Sequence, residues 1–206
     1  MLLLLPYIEK EYCRGMFNSV VDILALPSED ITLNHFLHDL ASIEEFNNAS
    51  ELFHSRAYHP EGDGSLYAHM VEVFNTWVQN PLRTLLGYYG ILFHDIGKQE
   101  CAEWKGDDKG FHSFIKHESV GVRIFMEKYS DMNPFVSDNK DDIAWVIAQH
   151  TNFWNVKKHG KSLAIATHPR LHTLHEVCKA DKMGFKDEEC MARYCYFLEL
   201  ALLGEA

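Results

Sequence analysis

Phe93-His94-Asp95-Ile96-Gly97-Lys98 closes an apolar run that begins near Leu82, and its reading decides how the rest of the chain is understood. Neighbouring residues on a helix point about 100° apart, so His94 and Asp95 face one centre only near a helix end. Gly97 permits the chain to break there. A neutral imidazole beside a carboxylate forms a hard-to-borderline donor pair, suited to manganese, iron, cobalt, nickel, zinc or magnesium. Taken alone, the dipeptide reads better as a helix-end histidine next to a solvated aspartate.

The flanking periodicity changes that balance. His150 falls in the stripe Ile143, Val146, Ile147, His150, with the spacing of a buried helix face, and Asp181 ends the stripe Leu174, Val177, Cys178, Asp181 in the same way. His69 lies one turn before Val73 on the apolar side of its helix. His117 shares a face with Gly121 and Ile124, where the glycine would let another backbone approach. One histidine on an apolar face is usually a satisfied core residue. A buried aspartate is costly unless paired or metal-bound, and several such cases ending together point to a shared site.

Helical spacing recurs along the chain, and strand-like alternation does not persist. Ile8, Tyr12, Met16, Val20 and Leu24 predict a first helix before Pro27. Leu33, Phe36, Leu37, Leu40 and Ile43 predict a second, capped by Thr32. A turn-rich stretch, residues 58–64, leads into a helix from Ser65 to Asn80-Pro81, and Pro81 suits the first turn of the helix that runs into Asp95. A polar loop over 103–110 follows. Further helices are expected at about 113–128, 141–151, 171–181 and 188–203, with a mobile loop over 155–168 that carries Lys157, Lys158 and Lys161.

The order His69, His94-Asp95, Asp181 resembles the H…HD…D signature of the HD superfamily, and the added His117 and His150 resemble its binuclear variant. The nearest likeness is to the HD domain of bacterial tRNA CCA-adding nucleotidyltransferases. It is carried by Tyr58-His59-Pro60-Glu61-Gly62-Asp63, His117-Glu118-Ser119-Val120-Gly121-Val122 and Ala180-Asp181-Lys182-Met183-Gly184, although the turn between His59 and His69 is slightly longer here. The resemblance spans about residues 33–186. It implies an all-α HD-domain helical bundle, expected as one domain over 1–206 with short helical additions at both ends. Because no Gly-Ser-plus-paired-carboxylate pattern lies upstream, a stand-alone HD protein without a nucleotidyltransferase head is expected.

By the same resemblance, Asp95 would bridge two divalent ions, with His69, His94 and Asp181 on one side and His117 and His150 on the other. The chemistry implied is metal-assisted hydrolysis of a phosphoester or phosphoanhydride. Asp95 and Lys98 are the candidate catalytic residues, Lys98 as a phosphate-facing cation, with Arg56 a weaker candidate for that work. The expected substrate is a small nucleotide or an RNA end. HD-fold mixed-valent di-iron oxygenases share the six-ligand pattern and form the alternative; there, Tyr58 and Glu61 resemble residues upstream of the first ligand. A regulatory module with a dead site would have lost ligands, and all six are present. Of the other histidines, His35, His38, His54, His112, His159, His168, His172 and His175, most read as surface or packing residues. His112 stands out because it enters the helix expected to carry His117.

Composition narrows the setting. A formal charge of −11 over 206 residues disfavours duplex nucleic acid, which requires a basic surface. The Leu2–Leu5 run, stopped by Pro6, is too short for a membrane span or a signal peptide. Five cysteines form no CxxC pair, which disfavours a disulfide framework and fits the cytoplasm.

Overall fold

Thr32 opens the described part of the chain as a helix cap. Its hydroxyl accepts from His35 N–H, and the His35 ring accepts from the Thr32 backbone, so orphan donors at the end of α1 (Leu33–Ala41) are satisfied reciprocally. The computed structural model describes residues 31–56, 62–154 and 159–181. The expected helices at 8–24 and 188–203, and residues 57–61, lie outside the described residues.

Ser65 caps α2 (Leu66–Val78) through Ala68 N–H, and His69, Val73 and Trp77 lie buried along one side as their spacing predicts. The next helix departs from expectation. Asn80 to Thr84 form a turn, and α3 (Leu85–Phe93) begins after Thr84, whose hydroxyl accepts from Gly87 N–H. A distant carboxylate fixes that start. Glu176 accepts from Thr84 N–H (2.8 Å), the Thr84 hydroxyl (2.9 Å) and the Trp77 indole (2.5 Å). A Cβ on Gly87 would lie 2.1 Å from Glu176 Oε1, so only glycine leaves room there for the carboxylate.

Apolar on nearly every side, α3 is the central helix; α2, α6 (Pro134–Gln149) and α8 (Leu171–Asp181) pack around it. A one-turn helix, α4 (Lys98–Cys101), follows the His94-Asp95 turn. The expected loop over 103–110 is instead half of a small hairpin. Its strands β1 (Glu103–Trp104) and β2 (His112–Ser113) pair antiparallel, Trp104 opposite His112, and its turn contains Gly106 and Gly110 at positive φ. The helix expected from 113 therefore begins later, as α5 (His117–Ile124), which runs into a π-helical turn at Phe125–Tyr129. Helix α6 starts earlier than its stripe implied, because Asn133 caps it and Pro134 sits in its first turn. The segment expected as a mobile loop contains α7 (His159–Ala166), anchored by buried Ile165 and Ala166. Two short strands apart, the described residues with regular structure are helical, and the fold class is all-α.

Candidate metal centre

The site forms where helices end. His94 is the C-cap residue of α3, and the chain then tightens: Ile96 N–H donates to Phe93 O (3.1 Å) and Lys98 N–H to Asp95 O (2.9 Å). This turn lets neighbours that would diverge on a continuing helix face one centre. His150 occupies the C-cap of α6, Asp181 the last turn of α8, His117 the first position of α5, and His69 the buried face of α2. Gly97 keeps ordinary right-handed angles, so its role is space. A Cβ there would lie 2.1 Å from His117 O and 2.6 Å from Gly121 N. The turn and α5 touch backbone to backbone, which brings His117 into reach of Asp95.

All six side chains singled out in the sequence converge, each buried. Asp95 lies at the centre and divides its oxygens. Oδ2 is 3.4 Å from His69 Nε2 and 3.2 Å from His94 Nε2, while Oδ1 is 3.3 Å from His117 Nε2 and 3.7 Å from His150 Nε2. Asp181 Oδ1 joins the first group, 3.1 Å from His69 Nε2 and 3.7 Å from His94 Nε2. Two triads result, His69/His94/Asp95 and Asp95/His117/His150, sharing one carboxylate. Lys98 Nζ is buried as well, 2.6 Å from Asp95 Oδ2. Arg56 lies outside this group of contacts; its guanidinium donates to Gly62 O.

The imidazole tautomers test whether cations suit the cluster. His94, His117 and His150 each place Nδ1 at 2.8–2.9 Å from the carbonyl three residues earlier, on Ile91, Phe114 and Ile147. A carbonyl only accepts, so Nδ1 carries the proton and Nε2 presents a lone pair. The lone pairs of His117 and His150 then face each other across 3.1 Å, and that of His94, buried without a hydrogen-bond partner, faces the Asp95 carboxylate. Such an arrangement repels itself until a cation or proton enters, and nitrogen with carboxylate oxygen is a donor set for borderline divalent ions. The residues fit divalent metal.

The charged states agree. Burial pushes the Asp95 carboxyl up, but protons held on the His94, His117 and His150 Nε2 atoms, in the place a cation would take, and the Lys98 ammonium hold it well below the usual carboxylate range. Burial lowers His150, keeping it neutral. Burial also opposes charge on His69, yet Asp181 and Asp95 raise it above the ordinary imidazole value, so a metal entering there displaces a proton.

Over the cluster opens a cavity of about 360 Å³. Besides candidate ligands, its lining includes His54, Lys98, Phe111, His112 and Phe114. His54, expected at the surface or in packing, is buried beside the site: its Nε2 lies 3.2 Å from Lys98 Nζ, and its ring meets His69 and Phe114 edge-on at 5.1 Å. No periodic pattern around Leu52-Phe53-His54-Ser55 marks it. His112 also departs from expectation, lying on β2 rather than on the helix with His117.

Among the described residues no helix is long and apolar enough to cross a membrane. No curated protein and no solved structure matches the chain. Residues 66–184, over half the sequence and the stretch holding all six converging side chains, match the HD domain. The chain therefore belongs to the HD-domain family, a family of metal-dependent hydrolases of the phosphohydrolase type.

Proposed function

We propose that the protein is a metal-dependent phosphohydrolase that cleaves a phosphoester or phosphoanhydride of a small nucleotide or an RNA end, using a binuclear centre. The observation that carries this reading is the division of Asp95, with one oxygen toward each histidine pair. His69, His94 and Asp181 would hold one cation, His117 and His150 the other, and Asp95 both. Bound there, divalent cations supply Lewis-acid stabilisation of phosphoryl charge and a water of lowered pKa.

The chain's own groups support the same chemistry. Lys98 places a buried ammonium on the cavity wall, where it can neutralise a phosphoryl oxygen, while Asp95 and His54 keep its side chain extended toward the site. Without metal, the Lys98 ammonium and the His69 imidazolium stand against two carboxylates. Two divalent ions would make the cluster net positive and the cavity attract an anion, despite the chain's overall charge of −11. The same bulk charge, and the likeness to the HD domain of CCA-adding enzymes, favour a small nucleotide or RNA end over a duplex. Manganese, iron, cobalt, nickel, zinc and magnesium suit the donor set. Of the described cysteines, Cys178 donates to His150 O and contributes no ligand.

The test is a screen of mono-, di-, tri- and cyclic nucleotides with these ions, on protein purified both in air and anaerobically. Phosphate release that requires metal, and is lost in Asp95→Ala with the fold retained, is the expected result. Oxygen uptake without phosphate release would overturn the proposal in favour of the di-iron oxygenase.

A further inference from the structure

We propose that the hairpin wall formed by Phe111, His112 and Phe114 is a recognition site for the non-reacting ring of the substrate, a nucleobase, with His112 Nε2–H as the hydrogen-bond donor that reads it. This rests on the phosphohydrolase reading only for where the phosphate goes.

His112 differs from the histidines of the cluster in what its Nδ1 touches. The Phe53 backbone N–H donates to that nitrogen at 3.2 Å, and His112 N–H donates to Phe53 O at 2.8 Å. Nδ1 is therefore the acceptor, and in the neutral ring the proton must sit on Nε2. His94, His117 and His150, with Nδ1 on carbonyls, present lone pairs; His112 presents a donor. It is built to bind an acceptor atom on a ligand and not a cation.

Its neighbours are rings. Trp104, across the hairpin, tilts against His112 at 4.9 Å, and Phe114 lies nearly parallel to it at 6.1 Å. Phe114 packs against the core, whereas Phe111 lines the cavity without belonging to that packing. The metal-ligand candidates and Lys98 line the same cavity, with Lys98 Nζ 5.4 Å from the Phe114 ring centre. A phosphoryl group drawn to the cations leaves the rest of the substrate against aromatic faces. A sugar phosphate would set hydroxyls on those faces, while a heteroaromatic ring stacks on them and offers an acceptor to His112. The volume, at the low end for ligand pockets, suits one nucleotide unit.

Calorimetric binding of adenosine 5′-monophosphate and of ribose 5-phosphate, which lacks the base, to the metal-loaded and metal-free full chain tests this. The wild type should bind the nucleotide at least tenfold more tightly than the sugar phosphate. Phe111→Leu and His112→Asn, the latter keeping an acceptor for Phe53 N–H, should each reduce nucleotide affinity about tenfold and change ribose 5-phosphate less than twofold. Equal wild-type affinity for both compounds, or variants of unchanged preference and unchanged melting temperature, would overturn the proposal. Should His112→Asn fail to fold, Phe111→Leu decides. A preference for the nucleotide without any phosphate release would support the wall while defeating the hydrolase reading, so the two failures are distinguishable.

Discussion

Gly97→Ala tests whether the two halves of the centre are positioned separately. The added Cβ would stand 2.1 Å from His117 O and 2.6 Å from Gly121 N, both backbone atoms of α5 that no rotamer change can move. Ordinary carbon contacts are about 3.5 Å, so the turn and α5 must separate by about 1 Å. The turn is the stiffer partner: it continues α3, and Ile96 within it is wholly buried. Helix α5 follows exposed Lys116 and yields more easily. His117, its first residue, would move with it, away from Asp95 Oδ1 at 3.3 Å and His150 Nε2 at 3.1 Å. Ligand distances tolerate only about 0.2 Å, so the Asp95/His117/His150 side should lose its cation. The His69/His94/Asp95/Asp181 side, with no ligand on α5, should keep its own. Overpacking of this kind costs about 1–3 kcal/mol, a fall in melting temperature of about 3–10 °C. Metal content per chain after reconstitution, measured with the melting curve, should fall from about two ions to about one. A variant retaining both ions at an unchanged melting temperature would refute the argument, and so would a folded variant that loses both. Gly121→Ala is the control: its Cβ meets the Ile147 and Ile96 Cγ2 methyls at 3.1 and 3.3 Å and Gly97 N at 3.4 Å, contacts far less close than those at Gly97, and the effect should be milder.

Burial raises Glu176 from 4.5 to about 7, even though Thr84 and Trp77 donate to it. A folded-state value above the unfolded one gives stability that is complete below pH 4.5 and lost as pH rises through 7, by about 3 kcal/mol. Denaturant melts of Glu176→Gln at pH 5 and pH 8 should lack that slope; a slope parallel to the wild type would contradict the assignment. Lys116 holds φ at 68°, so Lys116→Gly should stabilise the fold by about 0.5–1 kcal/mol, read in the same melts, and a loss of stability would show that its side chain matters more than its backbone. Because the imidazole lone pairs must be free for metal, dialysis at falling pH should release the ions below about pH 6. Metal affinity unchanged between pH 7 and pH 5 would exclude ligation by these histidines.

How much of this was legible in the sequence depends on the range of the forces involved. Helices α1, α2 and α8 lie where their stripes and their Thr32 and Ser65 caps place them, because caps and helical periodicity act within a few residues. The start of α3 was not legible. Thr84 and not Pro81 opens it because Glu176, 92 positions away, binds both the Thr84 backbone and its hydroxyl. The hairpin escaped notice because strands of two residues carry no alternation, and α7 because its polar start conceals the two buried residues near its end. His54 is buried by Lys98, His69 and Phe114, none of them its sequence neighbours.

The histidines show where composition stops and geometry begins. His94, His112, His117 and His150 are chemically identical, and apolar spacing separates only some of them from surface residues. What distinguishes them is the backbone group at Nδ1. At the C-terminal ends of α3 and α6 the carbonyl three residues back has no helical donor, so the His94 and His150 rings donate to it. His117, at the start of α5, donates to Phe114 O, which also accepts from the His117 backbone N–H, and each ring turns a lone pair toward the centre. Beside β2 the Phe53 backbone offers an N–H, and the His112 ring accepts it and turns a donor outward. The secondary structure that carries each imidazole thus decides whether it suits a cation or a ligand acceptor. Moving the His94, His117 or His150 ring off its helix end would reverse its polarity as surely as replacing it.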